Sequence, residues 1–416
     1  MAEMPDANAL VVGTIVTASH PLPRRGAELG APSVLRDAAI AWEGDTITYV
    51  GPPGGLEGGS RVVLDRAMIM PGFVDCHTHL PFFGWRADEH EARLAGSSYR
   101  ELHGEGGIGR SARMLAEASD EEVLEFCLPL AREMLDHGTT SLELKTGYGL
   151  SVEAELRHAR LARLLADEVP QTCTVTLLAC HAVPPAMSKV DWVRAACEEL
   201  IPAAADEALV DAVDAYVEDI AFDLDDLTLV AQAARDAGLP LRVHADQLAP
   251  SGAAEAAVRL GARSADHLNN VSGGGVEALG SSDTAAVLLP TSTLMLRAST
   301  PPVRKLVEAG APIALATDFN PGTSPVLSMP EAIAVGCSLY GLSPLEALTA
   351  ATAQAAWVLG LDGRLGTLEV GKRADFLVLD TEDFREVPYR PGHDPVVDAF
   401  VGGVRVGGVA PGPPLV

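Results

Sequence analysis

Between about residue 71 and residue 363 the chain repeats one alternation eight times: a short apolar run, then an Ala- and Leu-rich stretch of helical texture. The apolar runs are FVDCHTH, TTSLELK, CTVTLLACHAV, VDAYVED, LRVHAD, SADHL, AAVLLP and PIALATD. Between them lie stretches such as SDEEVLEFCLPLAREMLDHG, DLTLVAQAARDAGLP and PPVRKLVEAGAP. Runs this continuously apolar suit parallel strands buried on both faces. Eight successive strand–helix units predict a TIM-type (β/α)8 barrel, whose site lies at the carboxyl ends of the strands. The polar residues of interest fall there: His77, His79, Lys145, His181, Glu218, His244, His267 and Asp318.

The flanks have a different texture. Residues 1–70 carry ALVVGTIVTA, AAIAWEGDTITYVG and RVVLDRAMIM, joined by Gly- and Pro-rich turns. Residues 364–416 return to it with GRLGTLEVGKRADFLVLD and DAFVGGVRVGG. The expected organisation is a catalytic barrel over 71–363 and one small discontinuous β-sandwich built from 1–70 and 364–416.

A chain of 416 residues, 48% hydrophobic and 21% charged, can bury a core of that size. Its formal net charge of -27 argues against nucleic acid or an anionic membrane as partner, since the long-range field repels both. An anionic substrate then needs a local basic anchor. The six cysteines, at 76, 127, 173, 180, 197 and 337, show neither C-x-x-C spacing nor a disulfide framework, which fits the cytoplasm. The run Ala9 to Val16 is too short to span a bilayer, and Glu3 and Asp6 precede it where a secretory signal carries positive charge.

His77 and His79 are one residue apart, so on a strand they project side by side, as two ligands of one metal must. A catalytic metal needs one or two more protein ligands and an open position, and His244 in RVHAD and Asp318 in ATDFN supply them. Alone, His244 reads equally as a satisfied core histidine and Asp318 as a helix N-cap. Together, at strand ends beside a His-x-His, they favour a metal. A divalent ion brings the pKa of its water toward neutrality, and Asp318 beside that water can carry the proton to a leaving nitrogen. A second metal commonly needs a bridging carboxylated lysine on the fourth strand, but the four lysines are at 145, 189, 305 and 372. One ion is therefore expected, with bridging by Glu218 the minor alternative. Three histidines and an aspartate suit zinc or iron equally.

This set, with the C-terminal GTLEVGKRADFLVLD, resembles the amidohydrolase superfamily. RADEHEARLAGSSYRELHGEGGI, ELKTGYGLSVEAELRHARLA, CHAVPP, HADQLAPSGAAEAAVRLGARSADHL and ALATDFNPGTSP are similar to its branch that opens an imidazolone ring. The resemblance implies hydrolysis of a cyclic amide C–N bond, 4-imidazolone-5-propanoate to N-formimidoyl-L-glutamate in histidine degradation, by a homodimer with one divalent ion per subunit. It implies metal ligands at His77, His79, His244 and Asp318, hydroxide attack on the ring carbonyl, and assistance by Asp318, His267 and Gln247. Arg86, Tyr99, Tyr148, His181 and Gln247 match substrate-contacting positions. Asn320, Gly322 and Thr323 match the loop that receives the product's amino-acid end. Arg86 offers a planar fork for a carboxylate, and Gly322 allows close approach of backbone.

Plainer readings stand beside these. Arg86 could belong to a surface ion pair in the charge-rich RADEHEAR, His181 could be a buried structural histidine, and Tyr99 and Tyr148 could cap the core with their rings. The chain also departs from the pattern at Asp246-Gln247, at Asn269-Asn270 and at Trp85, an indole expected at the pocket mouth. The alternatives are a sister amidohydrolase or deaminase acting on another cyclic amide, amidine or heteroaromatic ring, and a metal-free binding barrel.

Overall fold

The computed structural model describes residues 8–56, 61–97 and 106–408. Four strands come first: β1 (Ala9–Thr17), β2 (Ser33–Glu43), β3 (Thr46–Gly51) and β4 (Val62–Pro71). Eight follow: β5 (Phe73–Asp75), β6 (Thr139–Lys145), β7 (Thr172–Cys180), β8 (Ala212–Val217), β9 (Leu241–Ala245), β10 (Ser264–His267), β11 (Ala285–Leu288) and β12 (Ile313–Leu315). The last three are β13 (Phe376–Leu379), β14 (Val396–Val401) and β15 (Val404–Gly407).

Strands β5 to β12 pair in sequence order as one eight-stranded sheet, and every rung is parallel. All eight apolar runs of the sequence supply one strand each. The seam between β12 and β5 is closed by extended segments just past both strands. There Thr78 bridges Phe319, the Asp318 N–H donates to the His77 carbonyl at 3.0 Å, and the His79 N–H to the Phe319 carbonyl at 2.8 Å. The His-x-His therefore sits beyond the strand proper, on the backbone that seals the ring.

Alternate residues of each strand face opposite ways. Leu142, Leu144, Val213, Val217 and Val243 are buried in the main apolar cluster with residues of the surrounding helices. The other set meets across the lumen: Lys145 of β6 lies 2.7 Å from Asp214 of β8, and Arg242 of β9 pairs with Glu143 of β6. Partners on strands that are not neighbours can only meet inside the ring. A barrel of this kind ordinarily fills that space with branched apolar side chains; here much of it is ionic.

The terminal strands form one mixed seven-stranded sheet in the order β15-β14-β13-β4-β1-β2-β3. Neighbouring strands are about 4.8 Å apart, so β2 and β14, four places apart, would be separated by about 19 Å in a flat sheet. Yet the Trp42 ring on β2 lies 5.6 Å from Phe400 on β14 and 5.1 Å from Phe376 on β13. The sheet thus folds over on itself, and its two halves enclose Leu10, Ile15, Ile40, Ile47, Ile69 and Phe376, which is how the expected sandwich arises. Met68, Met70, Leu377, Leu379 and Val396 belong instead to the cluster that surrounds the barrel. The β14–β15 hairpin turns on Gly402 and Gly403, both at positive φ (57° and 75°), a backbone that glycine adopts without steric cost. Among the described residues no helix is long and apolar enough to cross a membrane.

Trp42 is 4% exposed and donates its indole N–H to the Gly403 carbonyl at 3.1 Å, so it clips the two ends of the sheet together. Trp42→Ala is expected to lower unfolding free energy by about 3–5 kcal/mol, measured by urea denaturation. A loss under about 1 kcal/mol, within the range of an ordinary surface change, would show that the clip is dispensable.

Candidate active site

At the carboxyl ends of the strands, four imidazoles converge. The His77 ring lies 4.6 Å from that of His244, 5.3 Å from His79 and 5.5 Å from His267. Asp318 Oδ1 is 3.3 Å from His79 Nε2 and 3.5 Å from His77 Nε2. One donor atom from each of His77, His79 and Asp318 lies within 4.8 Å of the others, and the same holds for His77, His244 and His267. His77 Nε2, His244 Nε2 and His79 Nδ1 are buried with no hydrogen-bond partner among the described residues. Buried polar atoms are ordinarily satisfied, and a set of imidazole lone pairs beside a carboxylate is what a divalent cation binds. The residues present fit a metal ion.

Burial depresses the pKa of His77, further helped by the nearby Lys145, and likewise depresses His79 and His267, the last to about 3. All three are therefore neutral near pH 7, the state in which an imidazole can ligate. Burial pushes Asp318 up, but the His79 hydrogen bond and His267 outweigh it and hold the carboxylate ionised. His267 (φ 77°) and Asp318 (φ 55°) both adopt the left-handed backbone that non-glycine residues rarely use.

Beneath the donors the lumen ions continue the arrangement. His77 Nδ1 is 2.6 Å from Asp266 Oδ2, so it carries the proton and donates. His244 Nδ1 is 3.0 Å from Asp214 Oδ2, close in distance but off the line of an ideal hydrogen bond. Lys145, which the sequence suggested would pair with a neighbouring carboxylate, contacts Asp214 at 2.7 Å and Glu143 at 3.0 Å. Burial and Arg242 pull its pKa down, but the Asp214, Glu143 and Asp266 carboxylates together hold it above the ordinary lysine value.

The pocket over the donors is lined by Arg86, Tyr148, His181, Gln247, Asn320 and Thr323, with His79, His244, His267 and Asp318 at its floor. Arg86 is 3% exposed, its Nε and Nη1 have no hydrogen-bond partner among the described residues, and Glu89 is 3.7 Å away. The surface ion-pair reading of Arg86 does not hold. Gly322 is explained by the same group, since a Cβ there would run into the guanidinium. Asn320 acts mainly on its own loop: its Oδ1 accepts from the N–H groups of Gly322 (2.9 Å) and Thr323 (2.7 Å), and its Nδ2 donates to the Asp318 carbonyl at 2.7 Å.

The KTGYGL segment is a loop held from the following helix, Val152–Glu168. The Glu155 carboxylate accepts from the N–H groups of Gly147 (3.0 Å), Gly149 (2.6 Å) and Leu150 (3.1 Å), and His158 stacks 6.0 Å from Tyr148. His181 Nδ1 donates to the Gly147 carbonyl at 3.0 Å and its ring stacks 5.4 Å from His79. Gln247 is fixed through its backbone: its N–H donates to Glu218 Oε1 at 2.5 Å, and its carbonyl accepts from Asn270 Nδ2 at 2.7 Å. Glu218 is thus engaged in holding that loop, and burial raises its pKa to about 7. Asp246 caps the next helix through the N–H groups of Ser251, Gly252 and Ala254.

Trp85 packs on Phe82 (5.2 Å), Phe126 (5.9 Å) and Phe319 (6.1 Å) and is 40% exposed. Tyr99 lies outside the described residues. Tyr216 and Ile108 line the pocket without having been singled out. Tyr216 was accessible to parity, because it lies two residues from Asp214 and two from Glu218 on one strand face; Ile108, on a helix after a long connection, carries no such signal.

The model of the amidohydrolase family matches residues 68–410. A curated imidazolonepropionase from Rubrobacter xylanophilus is 45% identical over 398 residues, covering 94% of this chain and 94% of that protein. Another, from Pseudomonas aeruginosa, is 41% identical over 372 residues, covering 88% and 92%. Among solved structures, the E. coli guanine deaminase superposes with a TM-score of 0.72 at 17% identity, over 96% of this chain and 99% of that one. An adenosine deaminase from Xanthomonas campestris with bound zinc gives 0.71 at 20% identity, over 96% and 92%. At such identity the deaminases share the fold alone, whereas the likeness to the curated relatives runs nearly end to end. The chain belongs to the amidohydrolase family and, within it, to the imidazolonepropionases.

Proposed function

We propose that this protein hydrolyses 4-imidazolone-5-propanoate to N-formimidoyl-L-glutamate, the ring-opening step of histidine degradation. One observation carries the reading beyond the family: the pocket that holds the donor cluster also holds Arg86, a buried guanidinium whose Nε and Nη1 make no hydrogen bond among the described residues, with Glu89 3.7 Å away. In a chain of net charge -27, such a group calls for a carboxylate brought by the ligand. The propanoate tail of the imidazolone supplies one. A purine does not, which weighs against a deaminase of neutral bases.

The roles follow from the chemistry of the side chains. His77, His79, His244 and Asp318 would hold one divalent ion, zinc or iron. When bound, that ion supplies Lewis acidity and brings the pKa of a water molecule toward neutrality. Asp318 accepts the proton of the attacking water and delivers it to the ring nitrogen as the C–N bond breaks. His267, a neutral imidazole, gives an N–H to the carbonyl oxygen as charge develops there. Gln247 hydrogen-bonds the ring and cannot serve as base, so the proton traffic stays with Asp318. Tyr148 and His181 flank the ring, and the loop of Asn320, Gly322 and Thr323 receives the amino-acid end of the product. A cytoplasmic homodimer completes the reading; the six unpaired cysteines agree with a reducing compartment, and the dimer rests on family resemblance.

Supplied with imidazolone-propanoate, the purified protein should form one N-formimidoyl-L-glutamate per substrate and no ammonia; stoichiometric ammonia would favour the deaminase alternative. Asp318→Asn should keep the fold and lower kcat by about 10²–10⁴-fold, and turnover near wild type would remove its assigned role. Arg86→Ala should raise KM for the propanoate substrate by about 10–100-fold, the equivalent of one or two charge-assisted hydrogen bonds. If only thermal stability changed, the guanidinium would be structural.

A further inference from the structure

We propose that Glu143, Lys145, Asp214, Arg242 and Asp266 are positioning residues that act together as one ionic frame, setting the tautomers of His77 and His244 and strengthening both as metal donors. This rests on the metal-site reading above. None of the five is among the described residues that line the pocket.

The geometry has two arms, joined through Glu143 and through Lys145, whose Nζ also lies 3.9 Å from Asp266 Oδ2. In the first arm, His77 Nδ1 donates to Asp266 Oδ2 at 2.6 Å, and the same oxygen takes Arg242 Nη2 at 3.3 Å. In the second, Asp214 Oδ2 stands 3.0 Å from His244 Nδ1 and 2.7 Å from Lys145 Nζ. Glu143 ties the arms, because its carboxylate meets both Lys145, at 3.0 Å, and Arg242. Further contacts hold the cations: Arg242 donates to the Cys76 carbonyl at 2.8 Å and to Ser264 Oγ at 3.0 Å. Every member is 2% exposed or less.

Two physical consequences follow. A carboxylate at Nδ1 keeps the proton there, which directs the lone pair of each ring to Nε2; on both histidines that atom makes no hydrogen bond among the described residues, and on His244 the nearby Asp214 carboxylate favours Nδ1 as the protonated nitrogen. The frame also carries three carboxylates against two cations, so it presents one excess negative charge to the imidazoles from below. Both effects make the rings better donors to a cation. Because Glu143 joins the arms, a change at one histidine is felt at the other.

The test measures zinc affinity of the metal-free full-length protein by chelator competition, with Co(II) substitution for a visible spectrum. Asp266→Asn and Glu143→Gln keep side-chain volume while changing charge. Asp266→Asn should weaken zinc binding about 10–100-fold and shift the Co(II) bands, with KM at saturating metal within about twofold of wild type. Glu143→Gln should shift both readouts in the same direction by a smaller factor. Equal affinity and an unchanged Co(II) spectrum in folded variants would reduce the frame to core packing and overturn the inference. In the wild-type metal-free protein, nitrogen-15 spectra should show both His77 and His244 protonated at Nδ1, and Nε2–H forms would overturn it whether or not the variants fold. Failure of the wild type itself to take up one zinc per chain would be a different result, against the metal-site reading.

Discussion

Five charged side chains share the barrel lumen with almost no contact with solvent, and the positions of most other functional groups follow from how they pair. Taking an ion out of water costs several kcal/mol even after relaxation, so a lone Lys145 or Asp266 at that depth would not be tolerated ionised. Mutual contact offsets the cost, but only when the partners arrive from the correct strands in the correct register. A one-residue slip of β6 would turn Glu143 and Lys145 outward into the helical layer, taking Lys145 from Asp214 and Glu143 from Arg242. The ionic lumen is therefore a register lock as well as a support for the floor of the pocket.

Above that floor, function is built on backbone that few residues adopt. His267, the last residue of β10, and Asp318, three residues past β12, sit at positive φ (77° and 55°), and both line the same pocket. Such conformations cost of order 1–3 kcal/mol each and persist where the surroundings over-determine them. For Asp318 the constraint is visible: its own N–H is committed to the His77 carbonyl across the seam, and its carbonyl accepts from Asn320. The loops that carry the substrate-facing groups are held by side chains that never face substrate, Glu155 under KTGYGL and Glu218 with Asn270 around Gln247. This division explains why Asp246 and Asn270, which mark departures from the family pattern, have local structural duties.

Much of this was legible in the residues. The eight apolar runs each became one strand, because a doubly buried parallel strand leaves a continuous hydrophobic signature that turns and helices do not imitate. That these side chains meet was legible for a related reason: His and Asp at strand ends are rare enough that several together point to one centre. The charged lumen was harder to see. Glu143, Asp214, Arg242 and Asp266 each interrupt a strand once, and a single polar residue in an apolar run reads equally as a strand end or an exposed face. Only the closed ring brings them within reach of one another. The seat of Trp85 was not legible either, because Phe82, Phe126 and Phe319, on which the indole packs, come from three separated stretches of chain.

The seam between the first and last barrel strands joins the metal-binding question to biosynthesis. His77 and Asp318 bind each other's backbone, and Thr317 hydrogen-bonds the Asp75 carboxylate across 242 residues of sequence. A nascent chain emerging from the ribosome presents His77 and His79 early, yet it cannot offer the complete donor set until the eighth strand has been made and the ring has shut. An incomplete chain therefore lacks the full set of donor groups. The same stitch brings together the side chains that follow the first and the last barrel strands.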